Sequence, residues 1–173
     1  MYRDIKAKRQ QGFTLIEILI VVIILGILAA IVIPQFSSAS EDAKSSSLAS
    51  QLQALRSQVA LYRLEHNDKY PTADGSLNTA WNWDKLTGKT DKDGDIDANG
   101  QYGPYLQSAA VNPFNQLDVV GIDEALDNTF GFIMDKNGKL FAVGKPAGDG
   151  SAQWFNEVTG ESSAAAPAGY AAP

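Results

Sequence analysis

Cysteine is absent from this chain of 173 residues, which excludes a disulfide framework, a thiolate nucleophile and a Cys-ligated metal. Histidine occurs once, at His66. A Ser-His-Asp arrangement would have to use it, and its neighbours Glu65 and Asp68 read equally well as a polar helix end. The patterns G-x-x-x-x-G-K-S/T, G-x-G-x-x-G and H-E-x-x-H are all missing, so nucleotide and zinc-hydrolase chemistry fail at the motif level and no enzyme is expected. Positive charge is scarce, with 14 Lys and Arg against 20 Asp and Glu and a net charge of −6. An acidic chain without a clustered basic surface argues against nucleic acid as a partner. The scarce cations are also unevenly placed. Arg3, Lys6, Lys8 and Arg9 against Asp4 leave residues 1–12 net +3 and the remainder −9.

Behind those cations the chain turns apolar. From Phe13 to Ile33 the only charge is Glu17. A helix of roughly 21 residues at ~1.5 Å per residue spans about 31 Å, close to the hydrocarbon thickness of a bilayer. The basic residues ahead of it would stay on the cytoplasmic side, sending everything after Pro34 outward. A cleaved secretory signal peptide, with Ser38, Ala39 and Ser40 before the cut, and an uncleaved signal anchor are two readings of this segment. Neither explains Glu17. A carboxylate at the bilayer centre costs about 2.5–3.5 kcal/mol, less near an end, and calls for a partner. The positive end of the helix dipole favours an anion in the first turn. A cut between Gly12 and Phe13 would create an α-ammonium four residues before Glu17, a counter-ion for the carboxylate of an adjacent copy.

Gly12, Phe13, Thr14, Leu15, Ile16 and Glu17, behind a short basic leader and ahead of a continuous apolar run, resemble the N-terminal signature of type IV pilins and type II secretion pseudopilins. The resemblance implies that a prepilin peptidase cuts after Gly12 and methylates the new N-terminus, Phe13. It implies that Glu17 pairs with the N-terminal amine of a neighbouring subunit during assembly, and that Gly26 and Pro34 are helix-weakening positions. Gly costs about 1 kcal/mol in a helix interior and Pro about 3, so residues 26–34 are where the helix should bend or melt.

Past the membrane, Leu48, Leu52, Leu55, Val59 and Tyr62 are spaced 4, 3, 4 and 3, which draws one apolar stripe along a helix. The helix is expected from Phe13 to His66, ending near Asn67 to Tyr70 because Pro71 forces its predecessor towards an extended conformation. Such a long helix reads as a coiled-coil anchor or as a spine. Beyond it, residues 60–72 and 102–114 resemble the corresponding parts of major pseudopilins, more loosely than the N-terminus does. Trp81, Trp83 and Leu86 lie in a loop region with one short helix, the tryptophans read as core or loop anchors rather than ligand stackers. Residues 130–143 hold two β-prone runs joined through Asn137-Gly138, a hairpin signal. Phe130, Phe132 and Met134 should share one face, and Leu117 to Ile122 offer a third strand. Such a sheet needs an apolar partner, which the helix stripe supplies.

The expected fold is therefore α+β: a long N-terminal helical spine with a membrane half and an amphipathic half, and a small antiparallel β-sheet packed on its C-terminal half. The domains are a leader (1–12), a transmembrane and assembly half (13–34), an amphipathic half (35–70), a globular head (71–160) and a mobile Ala/Pro/Ser tail (161–173). Asp95, Asp97 and Asn99, followed by Gly100, fit the opening of a calcium loop, yet Leu106 stands where the bidentate Glu belongs. Calcium there and a solvated acidic loop are both open readings.

The function to expect is structural. The family resemblance implies a filament subunit in the cytoplasmic (inner) membrane, with its C-terminal domain outside the cytoplasm and a periplasmic or surface filament after assembly. Its partners would be further copies of itself, the prepilin peptidase, an inner-membrane assembly platform and minor pilins or pseudopilins. The looser resemblance and the lack of a C-terminal cysteine pair favour a type II secretion pseudopilin. A surface type IV pilin for adhesion, motility or DNA uptake, a minor tip subunit, and a membrane-anchored binding or enzymatic module are the alternatives.

Overall fold

The computed structural model describes residues 12–173; of the cationic leader expected at residues 1–12, all but Gly12 lies outside them. In chain order the elements are α1 (Leu15–Glu65), α2 (Asp84–Thr87), β1 (Val120–Ile122), β2 (Phe132–Met134), β3 (Leu140–Ala142), β4 (Trp154–Phe155) and β5 (Ser162–Ser163). The chain divides into two compact units after Glu41.

Within the first unit, every large apolar side chain from Leu15 to Phe36 is exposed. No core exists there to receive them. The helix is long and apolar enough to cross a membrane. It continues unbroken through Gly26 and Pro34, the two places expected to bend or melt it. Pro34 has no N–H, so the Ala30 carbonyl lacks its helical donor, while Ser38 Oγ donates to the Pro34 carbonyl at 3.2 Å.

The second unit, residues 42–173, builds its core on the later part of α1. Leu48, Leu52, Leu55, Val59 and Tyr62 are all buried, each burial contributing about 1.5–3 kcal/mol for side chains of this size. They meet Phe132, Met134, Leu140, Ala142, Leu86 and Phe155. The helix stops at Glu65. Asn67 and Asp68 then take left-handed φ of 53° and 65°, and the Asp68 and Lys69 amides donate back to the carbonyls of Arg63 and His66. Asn and Asp tolerate this conformation better than other side chains.

β2 and β3 form the expected hairpin, with Phe132 opposite Ala142 and Met134 opposite Leu140. The third strand corrects the expectation of an antiparallel sheet. β1 runs parallel to β2, Val120 opposite Phe132, so the three-stranded sheet is mixed. Residues 123–131 make no tight reversal: Asp123 turns aside at φ 52°, and the segment returns the chain to the starting end of β1. Phe130 is a second correction. It lies in that returning segment and packs with Ile133, Phe141, Val143 and Trp154, against the face opposite to Phe132. Both faces of β2 and β3 are consequently buried. β4 and β5 form a two-stranded antiparallel sheet, and an isolated bridge joins Val143 to Trp154.

Residues 161–173, expected to be mobile, carry β5 and a seated aromatic. Tyr170 lies 4.5 Å from Trp154 and 5.4 Å from Phe141, centroid to centroid, and the Ala171 amide donates to Asp135 Oδ2 at 3.1 Å. The low-complexity composition concealed one large apolar ring with an uncovered partner.

Candidate functional site

The N-terminal constellation is built by one turn of helix. Gly12 and Phe13 precede α1, and Phe13 is fully presented to its surroundings, 85% exposed. A Cβ placed on Gly12 would meet nothing within 4 Å, and its backbone is not left-handed. Nothing in the packing of the described residues asks for glycine there. Thr14 is the N-cap of α1. Its amide and hydroxyl both donate to Glu17 Oε2, at 2.8 and 2.7 Å, and the Glu17 amide donates to the Thr14 hydroxyl at 3.3 Å.

This is a reciprocal capping box, the pattern T-x-x-E at the first turn. It gives Glu17 a partner inside its own helix, where charge pairing alone points only to a neighbouring copy. The signal was in the sequence, because Thr and Glu stand three apart immediately before the apolar run. Glu17 Oε1 accepts nothing among the described residues. One oxygen caps the chain's own helix and the other does not take part in the cap. Gly26 and Pro34 lie further along the exposed apolar stretch, and a Cβ on Gly26 would likewise meet nothing.

In the head, the acidic loop is anchored by groups that no sequence motif connects. His66 is wholly buried. Its Nδ1 lies 2.7 Å from the Tyr62 carbonyl and its Nε2 2.9 Å from Thr90 Oγ1. A carbonyl only accepts, so the proton sits on Nδ1 and the Thr90 hydroxyl donates to Nε2. The ring stacks on Tyr62 at 4.0 Å and meets Tyr102 edge-on at 5.1 Å. Thus enclosed, the imidazole pins the root of the loop. Burial, with Asp95 and Asp91 adding to it, pushes the Tyr62 phenol up to about 12. Tyr105 donates to Glu65 across the same cluster.

The loop itself is organised by its own carboxylates. Asp91 Oδ1 accepts the amides of Asp93 and Asp95, each at 2.9 Å, and Asp97 Oδ1 accepts the Asn99 amide at 2.9 Å. Among the described residues no three acidic or histidine side chains come together to hold a metal ion. Asp95, Asp97 and Asn99 bring two carboxylates and an amide, and Leu106 is turned to the core. A calcium cage takes 6–8 oxygens, more than these three side chains supply by themselves. Trp83 Nε1 donates to the Asp118 carbonyl at 2.8 Å, and Trp81 packs edge-on against Trp83 at 5.4 Å, so both anchor the loop region.

A helix with an uncovered apolar N-terminal part and an α+β head mounted on its later turns defines a pilin-like architecture. Residues 7–33 match the model of the prokaryotic N-terminal methylation motif. The type II secretion system core protein G of Pseudomonas aeruginosa is 35% identical over 135 residues, which cover 70% of this chain and 92% of that one. The proteins of the same name from Dickeya chrysanthemi and Aeromonas hydrophila are 43% and 39% identical over 70 and 75 residues. Those two matches take in 40% and 43% of this chain. Against these two the chain spans about half of the relative's length, 45% and 52%. No solved structure matches. The chain belongs to the type II secretion system core protein G family, the pseudopilins.

Proposed function

We propose that this chain is the precursor of a structural subunit of a type II secretion pseudopilus. The observation that carries the reading is the first turn of α1: an unconstrained glycine, an exposed Phe13 and a half-engaged Glu17 at the head of an uncovered apolar helix. Prepilin peptidase cuts between Gly12 and Phe13 and methylates the Phe13 amine. The subunit waits in the inner membrane with its head outside the cytoplasm. An assembly platform then extracts it, and apolar side chains that faced lipid pack against neighbouring copies and minor pseudopilins. Glu17 Oε1 receives the methylated amine of an adjacent Phe13, which sets the register. Gly26 and Pro34 lower the cost of local unwinding as the helices pack.

Intact-mass measurement of the membrane-extracted protein tests the processing. The wild type is expected at the mass of a chain starting with methylated Phe13, and Gly12→Val should retain residues 1–12. Glu17→Ala should be cleaved and remain in the membrane yet fail to enter filaments seen by electron microscopy. Abundant filaments of Glu17→Ala alone would overturn the assigned role of the carboxylate.

A further inference from the structure

Two surfaces of the head remain unused by its own packing, and they lie on opposite flanks of α1. On one flank, Arg56 and Arg63 rise from the helix beside the β2–β3 turn, where Lys136 and Lys139 are exposed. Between them is a groove of about 260 Å³ floored by Val59, Ala60, Met134 and Leu140. Arg56 meets Glu157 at 2.6 Å and Arg63 meets Asp68 at 2.5 Å. Lys139 has no carboxylate within ion-pair distance among the described residues; its Nζ contacts the Ala168 carbonyl, at 3.4 Å, and the Phe141 ring. Three cations line the groove, two of them paired, and Lys136 is exposed on the adjoining turn, which leaves a positive apolar site on a chain whose net charge is −6.

The opposite flank of α1 carries Gln51 and Glu65, which hold the segments at Val111 and Tyr105. The acidic loop is held at the C-terminal end of the helix by Tyr62, His66 and Lys69. Its Ile96 is 54% exposed and stands between Asp95 and Asp97, both exposed and neither in a salt bridge with a described cation. An exposed isoleucine flanked by two such carboxylates is the charge complement of an apolar groove rimmed by excess positive charge. Loop and groove share no lining residue.

We propose that the Ile96 loop of one copy docks into the Arg56/Arg63/Lys139 groove of a second copy. Ile96 enters the floor between Val59 and Leu140, and Asp95 and Asp97 face Lys139 and Lys136. Because loop and groove are different surfaces, the contact can repeat head to tail from copy to copy, which generates an open helical array where the rotation does not close. This deepens the filament reading and rests on it.

The absence of native cysteine makes the test direct. Ile96→Cys and Asn137→Cys, the latter on the exposed turn above the groove, are made singly and together in the full-length protein, and filaments are first scored by electron microscopy. After mild oxidation the double variant is expected to give a ladder of disulfide-linked multimers, and each single variant at most a dimer. Asp97→Lys should reduce filament yield at least several-fold, and adding Lys139→Asp should restore it. Filaments that form normally from the double-cysteine variant without a ladder overturn the docking while leaving the filament reading intact. Failure of the charge exchange to restore yield also counts against the docking. Wild-type protein that is cleaved but never forms filaments overturns the reading beneath it, and the docking with it.

Discussion

At the scale of single residues, the most consequential contact is the one between Thr14 and Glu17. A carboxylate near the end of a membrane-spanning helix is expected to need an external cation. The capping box instead satisfies Oε2 and both Thr14 donors within the chain's own first turn. It also fixes where Oε1 points. On the proposed assembly contact, Thr14 is a positioning residue for Glu17. Thr14→Ala should leave cleavage after Gly12 intact, since Gly12 and Phe13, the residues that flank the cut, are unchanged, while filament yield falls between that of wild type and Glu17→Ala. Thr14→Ser, which keeps the hydroxyl, should restore the yield. An N-cap of this kind contributes about 0.5–2 kcal/mol to its helix, so loss of the helix itself is not expected. Equal yields from Thr14→Ala and wild type would show that the amine of a neighbour finds Glu17 without this preparation.

At the scale of elements, structure was legible in the sequence where periodicity acted over many residues and hidden where partners were remote. The stripe from Leu48 to Tyr62 was legible because five positions repeat one spacing, and all five are buried. The hairpin was legible because Gly138 has little choice. It sits at φ 75°, and a Cβ there would run into the Tyr70 hydroxyl, while Asp135 Oδ1 gathers the Asn137 and Lys139 amides at 3.0 and 2.8 Å. The parallel placement of β1 was not legible, because strands of three residues carry no sign of direction. Nor was the pinning of the acidic loop, which depends on His66 meeting Thr90 across a gap in sequence that no local pattern spans. Gly138→Ala should destabilise the head by about 1–2 kcal/mol for the left-handed backbone alone, with a further loss from the collision with Tyr70. Chemical denaturation checks both parts: combining it with Tyr70→Ala should remove the collision and leave the backbone cost. If Gly138→Ala melts like wild type, the turn must relax away from this conformation.

At the scale of the whole molecule, the two units answer to different solvents. The first exposes every large apolar side chain it has from Leu15 to Phe36. The second keeps its core entirely within residues 48–155, with satellite rings to Tyr170. Folding of the head therefore owes nothing to the apolar half, and a fragment of residues 42–173 should be a soluble, cooperatively melting protein. Its alkaline behaviour offers a signature of that same core. Tyr62 is held neutral in the fold up to about 12, against 10.0 for the free phenol. The folded state thus keeps a proton that the unfolded chain releases first, so stability is full below pH 10 and falls as the pH rises from 10 towards 12. Denaturant melts of the fragment at roughly pH 9, 10.5 and 11.5 should show a midpoint that is steady at first and then declines. Tyr62→Phe should flatten the decline by the share Tyr62 contributes, leaving what Tyr105 and Tyr70, also pushed up by burial, add to it. A fragment that stays unfolded at neutral pH would show that the head needs the preceding turns of α1 to nucleate the helix on which its core is laid.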